Sequence, residues 1–502
     1  MNKIVKKQNF LFRRQFAILL KQIDILGLDN WIEIIFNSYK VIIHPDLLYY
    51  YLKEGDREVL LLGYITNILK TDLSNQEIIK DLIDNSKDLD TFIEQTHICG
   101  GRWAILYKDL NNFAIFNDAT GMRQIFYDDK IQVIASNENL LAHLLNLKKS
   151  DYVQNSFVLK FNDKSINEIW FPYNKTNYDE IKCLIPNYYL DILACKIYRF
   201  WPLKRYFYNY KDLISKLHEY LIGNVKSFSN QFDKIALAVT SGYDSRNTLG
   251  YFMNFSKADF ILYTFKYQYV DDTSDDIVIP QKLSHYLNLK HLLISHYKDI
   301  DPEFEKIFSI HNAIVKPIFI SIAYNMYREY PDDFISVQSV ANEVVRQRYP
   351  YLPFIPDILD ICHFTKFYNF KFAENAFKEW LDNTRKIAKD LKIKLEDLFF
   401  MEQRMGRWNS GNRNEWDIVQ EVFEPWNVRE IWLISMSIAG KYKKHNNNKV
   451  YYDLFKSSWK NYNIIEITTK KDINYKYYKF RKLLSKFKRI ITAYYIKYGN
   501  KT

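Results

Sequence analysis

Cysteine is scarce and scattered. Cys99, Cys183, Cys195 and Cys362 are the only four in 502 residues, and no two stand at C-x-x-C spacing, so neither a zinc cluster nor a disulfide framework is legible. A reducing cytosol is the expected setting. Glycine and proline are as sparse, at 13 and 12, which excludes a collagen-like or low-complexity chain and predicts short loops. No run of about 20 uncharged apolar residues exists to cross a membrane; even Phe16–Phe36 carries Lys21, Asp24, Asp29 and Glu33. The basic, then apolar N-terminus has no small-residue cleavage site, so no secretory leader is expected. No G-x-x-x-x-G-K-[ST] occurs, which removes the Walker type of phosphate binder.

Aromatic residues are what the chain has in excess: 40 Tyr, 35 Phe and 10 Trp, rings that can fill much of a core. The formal charge of +11 is unevenly placed, because residues 441–502 carry 17 Lys/Arg against Asp453, Glu466 and Asp472, a local +14 that leaves about −3 for residues 1–440. A body without a basic working face argues against a nucleic-acid partner. The length is more than one ordinary core fills, so two domains are expected.

Residues 1 to about 150 read as strand-rich, with alternation clearest in 101–107 and 112–117, a turn at Asp118–Gly121, further strands at Gln124–Tyr127 and Ile131–Ala135, and a helix over 137–147. Two short strands in 184–202 lead out of this region. Beyond it the pattern becomes strand Lys234–Val239, helix Ser245–Phe255, strand Phe260–Phe265, a helix opened by Ser274, and strand His291–Ser295. That order is a parallel α/β sheet. Helices are expected from 302 to 440, broken by one strand at Phe334–Val337.

The chemistry is concentrated in Ala236–Arg246, where a buried strand turns through Thr240, Ser241 and Gly242 into a helix. Backbone amides, two hydroxyls and a helix N-terminus would converge there on one anion. Asp244 in the same turn would repel a phosphate unless a cation lay between them, which points to Mg²⁺. His285, His291, His296 and His311 match no facing metal pair and read as structural. Cys362-His363, a formal nucleophile and base, are adjacent residues that point apart on any regular element.

Thr240-Ser241-Gly242-Tyr243-Asp244-Ser245 resembles the S-G-G-x-D-S pyrophosphate loop of ATP-pyrophosphatases, with Thr240 for Ser and Ser241 for Gly at its first two positions. The surrounding order, including Leu262–Phe265, Asp276–Ile279, Lys282–His291 and Phe334–Tyr349, resembles the asparagine synthetase family. That resemblance implies a C-terminal parallel α/β ATP-pyrophosphatase domain over 206–440, with a basic tail over 441–502. It implies ATP contacts at Val239, Thr240, Ser241, Gly242, Asp244, Ser245, Thr264 and Phe265. It places Glu343 at the family's second acidic position, with Asp244 as its partner for Mg²⁺, while Asn342 stands where an acidic residue is usual. Glu402 and Arg404, in a segment similar to the one that closes the family's pocket, are expected to be an acceptor-activating base and a clamp.

Gly63–Asn67, Gly101–Ala104 and Asp118–Tyr127 are similar to segments of the family's N-terminal class II glutamine amidotransferase domain, an Ntn-like αββα sandwich, here over 1–205. Its catalytic cysteine is absent after Met1, where Asn2 stands, so no glutamine hydrolysis is expected. The resemblance therefore implies an AMP-forming amide ligase joining a carboxylate to an amine, with beta-lactam synthetases and lasso-peptide cyclases as relatives. A lactam- or lasso-type cyclase and a non-catalytic scaffold remain the alternatives, with a tRNA-modifying enzyme behind them. The stretch 475–498 has an apolar stripe and a basic remainder, which suit either an anionic membrane surface or packing on the body. Nothing in the sequence sets the oligomeric state.

Overall fold

A computed structural model describes residues 10–158 except 24, 26 and 29, residues 170–367 except 316, residues 370–444 and 448–459, and the single residues 467 and 483. The stretch 475–498 lies outside them apart from Leu483. No helix among the described residues is long and apolar enough to cross a membrane.

The first twelve strands make two antiparallel sheets. One runs β10 (Ile181–Cys183), β8 (Phe126–Asp128), β9 (Val133–Ala135), β1 (Phe16–Leu19), β3 (Tyr39–Ile43), β2 (Ile32–Phe36); the other runs β12 (Lys196–Arg199), β11 (Tyr188–Asp191), β7 (Phe113–Asn117), β6 (Cys99–Lys108), β5 (Arg57–Asn67), β4 (Tyr49–Glu54). Alternation along β1 explains the layering. Phe16 and Ile18 join the core shared with β5, β6 and β7, while Ala17 and Leu19 join a second cluster with Leu140 and Leu141. Between the sheets, Phe113 stacks against Phe36 and Tyr39 with ring centroids 6.1 and 5.6 Å apart. Helices α1 (Asn75–Asp84) and α2 (Leu89–Gln95) cover the outer face of the second sheet, with Phe92 against Tyr107, and α3 (Glu138–Leu144) covers that of the first. The result is the expected αββα sandwich.

Two motif glycines have a backbone reason. Gly63 and Gly101 lie on adjacent strands at φ +113° and +95°, where a Cβ would stand 2.1 Å from the Arg102 carbonyl and 2.4 Å from the Tyr64 carbonyl. Only glycine lets β5 and β6 approach in this way.

Helix α4 (Tyr210–Gln231) leads into a parallel sheet ordered β15 (His291–Ser295), β14 (Asp259–Lys266), β13 (Lys234–Ala238), β16 (Ile335–Val337), β17 (Val422–Phe423). Parallel neighbours need crossovers. These are α5 (Tyr243–Phe255) between β13 and β14, α6 (Asp275–Leu287) between β14 and β15, and α7 (Pro302–His311) with α8 (Pro317–Glu329) before β16. The mixed α/β class expected from the sequence is thus present. The single strand expected within 302–440 is corrected to two, since β17 pairs with β16; at two residues it is too short for any periodicity to reveal.

A π-type helix, Phe400–Asn409, and α9 (Ser410–Trp416) carry the chain from the helical region back to β17, between the sandwich and the parallel sheet. Here charge is buried. Asp417 and Arg102 are 0% exposed and Arg123 1%. Arg102 donates to Asp417 at 2.8 Å and to Glu421 at 2.7 Å, Arg123 donates to Glu421 at 2.8 Å, and Gln15 adds a bond to Asp417 at 2.9 Å. Burial opposes the Glu421 charge, but Arg123, Arg102 and Arg14 outweigh it and hold the carboxyl down to about 2. A carboxyl depressed in the folded state contributes stability that is complete above its unfolded value and is lost as pH falls through the folded one. Unfolding followed from pH 6 to pH 2 should show that loss between about 4.5 and 2, and Glu421→Gln should flatten it.

Candidate functional site

The loop after β13 sits at the carboxyl edge of the parallel sheet, where such sheets present ligands. Neither Ser241 nor Gly242 has positive φ; Gly242 is at −84°, and a Cβ on it would meet only Thr240 Oγ1 at 3.7 Å. The backbone therefore accepts Ser241 where the resembled motif has glycine. The loop donors are engaged within the chain. Thr240 N donates to Ser245 Oγ at 3.1 Å, Gly242 N to Thr240 Oγ1 at 3.3 Å, and Ser241 donates to one oxygen of Asp276 from its amide at 3.2 Å and its hydroxyl at 2.7 Å. Asp276 is an internal anion on the loop, and the two Ser241 donors converge on one of its oxygens.

Asp244 and Glu343, expected to share Mg²⁺, meet instead on the Arg346 guanidinium. Arg346 Nη2 lies 2.9 Å from Asp244 Oδ2 and 2.6 Å from Glu343 Oε1. Arg348 reaches the same Glu343 oxygen at 3.2 Å. Tyr451 donates to Asp244 and, at 3.0 Å, to the Asn342 carbonyl, while the Asn342 amide donates to the Asp244 carbonyl at 3.1 Å. Burial pushes the Asp244 carboxyl up against the pull of Arg346. Burial also works against the Glu343 charge, yet Arg348, Arg346 and Arg404 together hold that carboxyl below its usual range. Two carboxylates within reach of one cationic nitrogen are a donor set that suits Mg²⁺, which takes one or two carboxylates and completes its shell with phosphate oxygens and water. Arg346 would have to withdraw from them. No cluster of three or more metal-ligating side chains exists among the described residues.

The other expected residues are placed as follows. Thr264 Oγ1 donates to the Val239 carbonyl at 2.9 Å and meets His291 Nε2 at 2.9 Å, so Val239 and Thr264 are fixed beside the loop. Phe265 stacks on Trp416 at 5.3 Å. Arg404 lies over the Trp408 ring at 3.5 Å and near enough to Glu343 to act on it. Glu402 is elsewhere: fully buried, it accepts from Arg199 at 2.9 Å, Trp380 at 2.8 Å and Asn187 at 3.0 Å. A carboxylate so committed holds the helix to the sandwich, and the expected acceptor base is not carried forward.

Sequence reading missed Arg346, Arg348, Asp276 and Tyr451. The last was hidden by the basic composition of 441–502. Helix α10 (Lys449–Ser458) in fact packs on α5, with Tyr451 stacked on Tyr243 at 5.8 Å and Tyr452 bonded to the Tyr243 hydroxyl at 2.7 Å. Its buried residues, Val450, Tyr451, Leu454, Phe455 and Ser458, form one helical stripe that the charge count overshadowed.

Three of the four cysteines are buried, and burial raises their thiols, Cys99 and Cys362 to about 12 and Cys183 to about 11. None of these three can supply a thiolate near neutral pH.

No family model matches the chain, and no curated protein matches it. Among solved structures it is similar to the glutamine phosphoribosylpyrophosphate amidotransferase from B. subtilis complexed with ADP and GMP, at 10% identity and a TM-score of 0.25, over 65% of this chain and 92% of that one. It is similar also to the NH3-dependent NAD synthetase from Campylobacter jejuni in complex with the nitrate ion, at 14% identity and a TM-score of 0.21, over 42% of this chain and 95% of that one. A third, described as the allosteric regulatory enzyme of purine biosynthesis, has 11% identity and a TM-score of 0.24 over 60% of this chain and 73% of that one. Likeness at this level leaves function to the site itself.

Proposed function

We propose that the protein is an ATP-dependent, AMP-forming amide ligase of the asparagine synthetase type that works without glutamine hydrolysis. The observation that carries this reading is the meeting of Asp244 and Glu343 on one cationic nitrogen beside a loop whose donors already hold an anionic oxygen. A substrate carboxylate oxygen would bond to the α-phosphorus of ATP as the bond from that phosphorus to the pyrophosphate breaks. The departing pyrophosphate would take the Ser241 amide and hydroxyl from Asp276, with the start of α5 adding its partial positive charge. An amine would then attack the acyl carbon, AMP would leave, and the amine nitrogen would lose its extra proton. Asp244 and Glu343 would hold Mg²⁺, which neutralises phosphate charge when bound. Arg346, Arg348 and Arg404 would remain as guanidinium clamps around the reacting phosphates.

A scaffold without catalysis is the second reading, favoured by the same loop's internal satisfaction: every loop amide named above has a partner in the chain. Release of AMP and pyrophosphate from ATP·Mg²⁺, in the presence of small-molecule extract, decides between them. The ligase should release both, and Asp244→Asn should reduce release by roughly a hundredfold or more, as losing a charge that acts on the transition state does. If ATP·Mg²⁺ neither turns over nor raises the melting temperature, the scaffold is correct. A cyclase would release AMP with a single substrate carrying both groups.

A further inference from the structure

A small cleft lies between the sandwich, the end of α7 with the residues that follow it to Ile314, and the helices of 400–416. Its polar walls are unusually incomplete. Asn312 is 1% exposed, yet neither its side-chain oxygen nor its nitrogen has a hydrogen-bond partner. His311, fully buried, donates from Nε2 to the Asn414 carbonyl at 2.8 Å; burial shifts the ring toward its neutral form, in which Nδ1 is an acceptor, and Nδ1 has no hydrogen-bond partner. Glu138 stands beside them, because the Asn177 amide donates both to its carboxylate at 3.2 Å and to the Ala313 carbonyl at 2.7 Å. Burial pushes the Glu138 carboxyl up to about 7, against the pull of Arg407 and Lys149. A buried amide left unsatisfied is costly, and a ligand of the right pattern would recover that cost.

The pattern is readable. Glu138, Asn312 Oδ1 and His311 Nδ1 are three acceptors for the three N–H bonds of a primary ammonium. Asn312 Nδ2 and the Arg407 guanidinium, also lining the cleft, are donors for an oxygen beside it. Phe126, Phe171 and Trp408 supply an apolar and aromatic wall. We infer that this cleft binds an α-amino acid through its ammonium and carbonyl groups, as a free amino acid or as the amino terminus of a peptide. Trp408, in the cleft wall, carries Arg404 on its ring face, and Arg404 is among the cations that hold the Glu343 carboxyl down. The cleft's role as the site of the attacking amine rests on the ligase reading; the binding itself does not.

Ligand-observed saturation-transfer NMR on the full chain with each of the twenty common amino acids tests this. At least one should bind with Kd below about 10 mM, its N-acetyl derivative should not bind, and Glu138→Gln and Asn312→Leu should each weaken it by about tenfold or more. Binding retained by the α-amide identifies a peptide amino terminus as the source, and binding lost identifies the free amino acid. The inference is overturned if none of the twenty binds, if the N-acetyl form binds as well as its parent, or if both folded variants bind as the wild type does. Asp244→Asn protein that releases no AMP yet binds the amino acid normally separates the two readings: the cleft then stands whatever becomes of the ligase.

Discussion

Asp417→Asn should destabilise the protein by about 3–5 kcal/mol. The replacement keeps the shape of the side chain and removes its charge, which leaves Arg102 and Arg123 to share Glu421 in a site where Arg102 is 0% exposed. A buried ion pair contributes little against an apolar pair of the same volume, because desolvation offsets the attraction; breaking it from one side leaves a charge in low dielectric with no counter-ion, and that cost is large. Urea unfolding should therefore show an earlier midpoint or a new first transition as β17 and the sandwich part. The double variant Asp417→Asn, Arg102→Met should recover part of the loss, since it removes the stranded charge. An unchanged midpoint in the single variant would show that the cluster adds nothing to the joint between the two halves.

That cluster also marks where sequence reading stops. β6 and β13–β15 were legible because alternation or an apolar run with turn residues at each end is a local signal. The polar turn of residues 240–245 at the carboxyl edge of the parallel sheet was legible because six consecutive residues carry it. Arg102 and Asp417 are 315 positions apart, and nothing near either one distinguishes a buried partner from a solvated charge. Glu402 failed for the same reason in reverse: a glutamate in a pocket-closing segment looked reactive, while Arg199, 203 residues earlier, had already claimed it. Tyr451 was masked by averaging over the tail, where one well-patterned helix was diluted by the lysines that follow.

At the carboxylate pair, Arg346→Met is expected to make the protein respond to Mg²⁺ in the absence of nucleotide. In the wild type the Arg346 guanidinium bridges Asp244 and Glu343, and a free cation would have to displace a tethered one at high effective concentration. Removing it leaves Asp244, whose charge burial already opposes, with the Tyr451 hydroxyl as its hydrogen-bond donor and with Glu343 close by. With Arg348 left on Glu343 and no guanidinium between the two carboxylates, their repulsion grows, so the variant should melt below the wild type. Millimolar Mg²⁺ should then raise its melting temperature by several degrees and leave the wild type unmoved, a difference set by linkage between binding and folding. Adding Asp244→Asn to Arg346→Met should abolish the response, because one of the two oxygen ligands has gone. If Mg²⁺ stabilises neither protein, the carboxylates are partners of arginine alone, and the clamp on ATP phosphates would have to be built from Arg346, Arg348 and Arg404 without them.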